Sequence, residues 1–322
     1  MSFQTWIPHP ELGTRRQEDI MTGSVLVLGA NGRFGRHAAE AFWNAGWTVA
    51  LFDRRTDDLT AKARRADVIV NGWNPPYPRW QTEVPALTDK VIAAARASGA
   101  TVLLPGNVYT FGKDAPALFG VKTPHRANNP LGQVRTRMEA TYRASGVRTI
   151  ILRCGDFLDT QPSGNWFDRV VAARLPKGPL RYPGALDVPH AWAWLPDVAR
   201  AAVALAERRN SLPTFADIPF AGYTLTGAEL AEACSRALGQ PVAVVRMSWL
   251  PILALAPVWR MARHLAEMRY LWDKPHRLDP APLAALLPRF HATPVEEALA
   301  QTLHRPGSDI RPAGAPNAMA RA

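Results

Sequence analysis

Apolar runs and amphipathic stretches alternate through the first half of the chain. Residues 25–28 (Val-Leu-Val-Leu) are continuously apolar, which marks a strand buried on both faces. Helical periodicity follows over 33–45 and stops at Gly46, a residue suited to the position just past a helix. Residues 47–52, 67–71, 101–104 and 147–153 repeat the buried-strand pattern, with helical stretches over 86–98 and 130–144. Asn129 and Pro130 open the second of these helices as cap and first-turn proline. The alternation predicts an α/β chain on a parallel sheet. One interval is short. Between the strand ending at Phe52 and the one opening at Asp67 only a short helix near 59–65 fits. A further edge strand needs more chain, so the 47–52 strand is expected to be the edge. The predicted order is 47–52, 25–28, 67–71, 101–104, 147–153, all parallel, with a late strand near 214–218 at the far side.

Beyond residue 160 the pattern becomes mixed. A helix is expected over 165–173, a turn-rich hairpin over 176–183 and an alanine-rich helix over 198–208 behind Asp197. Thr226-Gly-Ala-Glu229 and Thr293-Pro-Val-Glu296 read as capping boxes. Met and Trp residues at helical spacing through 247–272 predict the core of a smaller domain. Residues 1–21 and 306–322 lack periodicity and are expected to be a loose extension and a disordered tail. The expected division is 22–162, with 190–220 returning to it, and 163–305.

Composition narrows the partners. The chain has 322 residues, 47% of them hydrophobic, enough for one large domain or two interlocked ones. Its two cysteines, Cys154 and Cys234, make neither a disulfide framework nor a metal-ligand spacing, which points to a reducing cytoplasm. The eight histidines lack paired helical spacing, so no metal site is expected. The net charge of +11 comes from arginines spread along the chain without a basic block, so no nucleic-acid partner is expected. The longest apolar run, 249–259, contains Pro251 and Pro257 and is shorter than the roughly 20 residues of a membrane span. A monomer or homodimer that meets a small molecule, and no membrane, is expected.

The candidate chemistry sits where the first strand meets the first helix. Gly29, Gly32 and Gly35 stand at i, i+3 and i+6, a placement suited to a tight turn, close backbone approach to a pyrophosphate, and helix–strand packing. Asn31, Arg33 and Phe34 fill the same turn, and the helix N-terminus behind it favours anions. Asp53 ends the next strand 18 positions past Gly35, near the spacing of about 20 for an acid that holds an adenosine ribose. Asn71, Gly72 and Trp73 follow the third strand on the ligand side of such a sheet, with Tyr77 beyond them.

This Gly-x-x-Gly-x-x-Gly spacing resembles the short-chain dehydrogenase/reductase superfamily, more narrowly the extended and atypical branch that includes NAD-dependent epimerases and dehydratases. Residues 153–157 (Arg-Cys-Gly-Asp-Phe), 194–200 (Trp-Leu-Pro-Asp-Val-Ala-Arg) and 293–299 (Thr-Pro-Val-Glu-Glu-Ala-Leu) are similar to later motifs of that branch, and the likeness covers roughly 22–305. It implies a Rossmann-type doubly wound parallel sheet with a smaller mixed α/β substrate domain. Members carry a Tyr-x-x-x-Lys pair; the matching segment here is Leu131-Gly-Gln-Val-Arg135. Leucine cannot move a proton, and arginine is not equivalent to lysine for tuning a phenol, although Arg135 can still hold a ribose. The usual Ser or Thr falls at Asn107, which can hydrogen-bond a carbonyl. Tyr109, two positions on, is the candidate replacement for the missing tyrosine. Asp156 reads as a turn residue or a general acid/base, and His190 as a structural histidine or a substrate contact.

The nucleotide is expected to be NAD. Asp53 would accept from both ribose hydroxyls and repel a 2′-phosphate, whereas Arg54 and Arg55 lie on a turn that can swing to solvent. NADP is the alternative if Arg54 stacks over the adenine and Asp53 turns away. Three functions stay open: an NAD(P)-dependent oxidoreductase or epimerase-like enzyme with a substituted proton donor, a non-catalytic dinucleotide-binding redox sensor, and an assembly or scaffold protein.

Overall fold

The computed structural model describes residues 23–175 and 177–303. The first half alternates as its hydrophobic pattern requires: β1 (Ser24–Leu28), α1 (Arg33–Asn44), β2 (Thr48–Phe52), α2 (Leu59–Ala63), β3 (Val68–Asn71), α3 (Trp80–Ser98) and β4 (Thr101–Gly106). The short strand β5 (Leu118–Phe119), α4 (Pro130–Ser145) and β6 (Thr149–Arg153) complete it. The second half adds β7 (Asp156–Leu158), β8 (Leu180–Tyr182), β9 (His190–Trp194), α5 (Leu195–Glu207), β10 (Phe215–Pro219), β11 (Tyr223–Leu225) and α6 (Gly227–Leu238). It ends with β12 (Val244–Arg246), α7 (Leu250–Leu255), α8 (Arg260–Glu267), α9 (Tyr270–Asp273), β13 (Arg277–Leu278), α10 (Ala281–Leu286) and α11 (Val295–Leu303).

The main sheet runs β10-β6-β4-β3-β1-β2, every pair parallel, as the strand spacing predicts. The five-residue α2 is all that fits between β2 and β3, so β2 stays at the edge, half exposed, while β3 is buried throughout. Two apolar layers cover the faces. Leu26, Ile69, Val102 and Ile151 pack with Val91, Ile92 and Tyr142 of α3 and α4. Val27, Val70, Leu103 and Leu152 pack with Phe34, Ala38 and Phe42 of α1 and Val198, Ala202 and Leu205 of α5. A third cluster, built on Phe167, Tyr182, Trp192, Trp194 and Trp272, lies under α6 and α11.

Several local expectations change. The loose extension and tail fall outside the described residues. Helix α3 starts at Trp80 instead of 86, carrying Pro85 inside it; Trp80 is buried and its Nε1 donates to the Pro75 carbonyl, which pins the extra turns. The 176–183 segment is no hairpin: β8 pairs in parallel with β12, some sixty residues away in sequence, and a tight hairpin joins antiparallel strands. The stretch expected as a helix over 165–173 forms a single wide π turn over Phe167–Val171. Thr226 and Glu229 do form a capping box on α6. Thr293 does not act as a cap, since its hydroxyl and N–H both donate to the buried Asp197 carboxylate. Asn129 precedes α4 as expected but makes no side-chain cap; Glu267 accepts from the Leu131 N–H instead, at 2.8 Å.

Candidate functional site

The carboxyl ends of β1, β3, β4 and β6 open on one cleft of about 410 Å³. Its floor is the glycine turn. Gly29 has φ +74°, a left-handed conformation that disfavours a side chain, and its carbonyl accepts from the Gly32 N–H at 2.8 Å. A Cβ on Gly35 would lie 2.1 Å from the Gly29 oxygen, so only glycine lets α1 pass this close to the strand end. Gly29 and Gly35 thus build the turn from behind, while Asn31, Gly32, Arg33 and Phe34 line the cleft. Arg36 is the first residue whose N–H finds an acceptor inside the helix, Gly32 O, so the N–H groups of Arg33 and Phe34 precede the helical ladder at the cleft wall.

Across the cleft from this turn lies the 160–165 segment, held directly by hydrogen bonds and through its neighbour Asp159 by ion pairs, none of which the sequence announced. Arg33 donates to the carbonyls of Ser163 and Gly164, at 2.9 and 2.7 Å. Arg36 and His37 both meet the buried Asp159, His37 Nε2 at 2.9 Å from its carboxylate. Burial alone would raise Asp159, but the hydrogen bonds from His37, Ser163 and Arg36 outweigh it and bring the carboxyl down to about 2.

At the outer end, Asp53 follows β2 outside the cleft lining. Arg55 is exposed, as its turn position predicts, yet its N–H and guanidinium take both Asp53 oxygens, at 2.9 to 3.3 Å, and lower the exposed carboxyl. Arg54 instead stands 5.8 Å over the Trp73 ring, which meets Phe52 edge-on. Asn71 is buried; its amide donates to Tyr142 Oη and its carbonyl accepts from the Trp73 N–H, so it shapes the Gly72–Trp73 wall from within.

The inner end carries the candidate proton chemistry. Tyr109 and Tyr77 share a hydrogen bond of 2.7 Å between their hydroxyls, and both line the cleft. Burial is the main reason both phenols titrate above their usual range, Tyr109 far above it, and the Asp156 charge adds to the rise. Asn107 folds its side-chain carbonyl back onto the Tyr109 N–H at 3.0 Å, an Asx turn that sets the tyrosine in place. Arg135 is buried with its Cζ 4.2 Å over the Trp80 ring, donates to Asn74 Oδ1 at 2.8 Å, and leaves Nε without a partner. Leu131, in the place of the usual tyrosine, is sealed in the core at 1% exposure. Cys154 also lines the cleft, but burial pushes its thiol up and leaves it a weak nucleophile.

Two further pairings appear. His190 Nε2 lies 2.8 Å from Asp156 Oδ2, joining residues that the sequence left separate. They meet because β7 pairs in parallel with β9, Asp156 opposite Trp192, and such three-residue strands leave no periodic signal. Behind the cleft, Arg153 joins Glu139 and Asp217 at 2.7 and 2.6 Å and donates to the Asn107 carbonyl. His125 completes the only group of metal-ligand types among the described residues, but the Arg153 guanidinium already pairs with both carboxylates.

No family model matches the chain, and no curated protein does. Solved structures do. MoeE5 in complex with UDP-glucose and NAD is 18% identical, with a TM-score of 0.68 over 87% of this chain and 97% of its own. UDP-glucose 4-epimerase from Brucella ovis, in complex with NAD, is 18% identical at TM-score 0.63 over the same shares. The human epimerase family protein SDR39U1 (isoform 2) with NADPH is 17% identical at TM-score 0.66, covering 87% of this chain and 98% of its own. The chain therefore has the Rossmann-like α/β fold of these structures.

Proposed function

We propose that this chain binds NAD, or NADP as the alternative, across the carboxyl edge of its sheet and acts as an oxidoreductase or epimerase on a small molecule. The observation that carries the reading is the glycine turn at the α1 N-terminus, with a polar, aromatic-lined cleft continuing from it to the Tyr77–Tyr109 pair. Gly32 and the N–H groups of Arg33 and Phe34 suit a pyrophosphate, and a side chain on Gly32 would crowd the Gly29 carbonyl at 3.0 Å. Gly72 and Trp73, with Arg54 above the indole, suit the adenosine end. Asp53 suits the ribose hydroxyls once Arg55 shares it, and its carboxylate favours NAD. The fold likeness to structures holding NAD or NADPH supports the same reading.

Bound there, the nicotinamide would supply or accept hydride. The chain's own part is orientation and proton handling. Arg135, four residues after Leu131, suits the nicotinamide ribose; Tyr109, held by Asn107 and Tyr77, suits a hydrogen bond to the reacting oxygen of the substrate. The test is Tyr109→Phe: nucleotide affinity should persist while turnover falls by about a hundredfold or more. Turnover equal to wild type removes Tyr109 from the mechanism. A non-catalytic sensor is the second reading, favoured by the buried Leu131 where a proton donor is usual.

A further inference from the structure

Tyr77 and Tyr109 are built as neutral hydroxyls. Among the described residues neither has a lysine beside it; each has the other's hydroxyl and the Asp156 charge as neighbours, and the Arg135 charge does not offset burial. Such a pair donates hydrogen bonds well and accepts a proton poorly. Oxidation of a hydroxyl in the same cleft needs a base.

Asp156 is the carboxylate that lines the inner cleft. Its Oδ2 accepts from His190 Nε2 at 2.8 Å, and its Oδ1 takes no hydrogen bond from the described residues. His190 is 1% exposed and lies flat on Trp272, ring centroids 4.1 Å apart at 6°. With Nε2 donating to Asp156, the other ring nitrogen, Nδ1, is buried without a partner. A buried unpartnered polar atom costs about 1–3 kcal/mol. A purely structural imidazole would be expected to use both nitrogens. His276, the nearest other imidazole at 4.5 Å, does so: Nδ1 faces the Lys274 carbonyl and Nε2 the Ala191 N–H.

We propose that Asp156, oriented by His190, is the proton acceptor of this cleft, with Asp156 the catalytic residue and His190 the positioning one. The inference rests on the dinucleotide reading above. When a substrate carbinol is oxidised, its C–H bond would break and the electron pair would leave as hydride to NAD⁺ held in the cleft. Its O–H bond breaks and the proton goes to Asp156 Oδ1. The products are a carbonyl, reduced nucleotide and a protonated Asp156 that still accepts from His190 through Oδ2. Tyr109 steadies the oxygen throughout by donating its hydrogen bond. In the return direction Asp156 gives the proton back, which is the sequence an epimerisation needs.

The charged and titratable groups around the dyad are Tyr77, Tyr109, Tyr182 and His276, with Arg33 and Arg135 acting on the tyrosines and Lys274 on His276. The tyrosines are held up by burial and His276 is pushed down to about 3, so none of them takes up a proton near neutrality. The experiment uses Asp156→Asn and His190→Gln in the full chain. First, imidazole ¹⁵N spectra of the nucleotide-free protein are recorded at fixed pH. His190 is expected to be Nε2-protonated, with Nε2–H hydrogen-bonded to Asp156, and Asp156→Asn to move its Nε2 resonance. Second, NADH affinity is measured by tryptophan quenching, and hydride transfer to NAD⁺ is measured with UDP-glucose and UDP-glucuronic acid as probes. Asp156→Asn should slow transfer by about a hundredfold and remove the acid limb of the kcat/KM profile, while NADH still binds. His190→Gln should keep that limb but displace it. An unchanged His190 Nε2 resonance in Asp156→Asn overturns the pairing whatever the probes show. Transfer at the wild-type rate in Asp156→Asn overturns the proton role alone. A wild-type protein that binds no dinucleotide overturns the functional reading and the role with it.

Discussion

Replacing Gly35 with alanine is expected to destabilise the protein, even though alanine is the better helix former. The added methyl would lie 2.1 Å from the Gly29 oxygen and 2.7 Å from its carbonyl carbon. Both are backbone atoms at the end of a fully buried strand, so no flexible side chain can yield. A carbon–oxygen contact needs about 3.2 Å, so α1 and β1 must part by roughly 1 Å. That shift loosens Phe34, Ala38 and Phe42, which hold α1 against the sheet. Overpacking of this kind costs about 1–3 kcal/mol or more, against at most about 1 kcal/mol regained from helix propensity. Because the 2.1 Å contact is with fixed backbone, the cost lies in the upper part of that range and the net loss is about 1–2 kcal/mol; at about 2–4 °C per kcal/mol the melting temperature should fall by roughly 2–8 °C. Calorimetry without nucleotide measures it, with Gly178→Ala as control, where the nearest atom is an ordinary 3.4 Å away. A Gly35→Ala protein that melts with the wild type would refute the close-approach account of the turn.

Asp159 gives a pH prediction. Its folded value, about 2, lies below its ordinary 3.8, so its stabilisation is complete above pH 4 and disappears as pH falls through the folded value. Urea unfolding of Asp159→Asn should show a deficit of about 2 kcal/mol at pH 7 that shrinks steadily below pH 4; a pH-independent deficit would contradict the charge argument. Nucleotide preference gives another. NADH should bind tighter than NADPH, and Asp53→Ala should narrow the gap. Tenfold tighter NADPH, about 1.4 kcal/mol, would show that Arg54 over Trp73 outweighs the shared Asp53 carboxylate.

The sheet was legible because its signal is local. Five apolar runs and the shortness of the 53–66 interval settle the strand order, including β2 at the edge. The glycine turn was legible too, since each glycine answers a backbone demand that spacing exposes. The pairings were not. Tyr77 with Tyr109, Asp156 with His190 and Arg33 with the 163–164 carbonyls join residues 32, 34 and about 130 positions apart. They depend on how short elements dock, and three-residue strands such as β7 and β8 carry no period. The parallel β8–β12 pair was misread as a hairpin for the same reason: turn residues over 176–183 signal a bend, and only tertiary contact supplies the partner. Thr293 shows the converse, a capping motif drawn away by a buried carboxylate. Arg55 is exposed as its turn position predicts, and what the sequence leaves unread is its pairing, since two residues of separation let the guanidinium take both Asp53 oxygens.

The most direct measurement of the central claim is an NADH titration of wild type and Gly32→Val, followed by calorimetry at fixed salt. Gly32 sits at the α1 N-cap in an extended conformation that valine can adopt, with its Cβ direction meeting only the Gly29 and Gly72 carbonyls within 4 Å. The account predicts saturable binding by the wild type and its loss, by about a hundredfold or more, in a Gly32→Val protein that is still folded. Equal affinities in the two proteins, or no binding by the wild type, would contradict it.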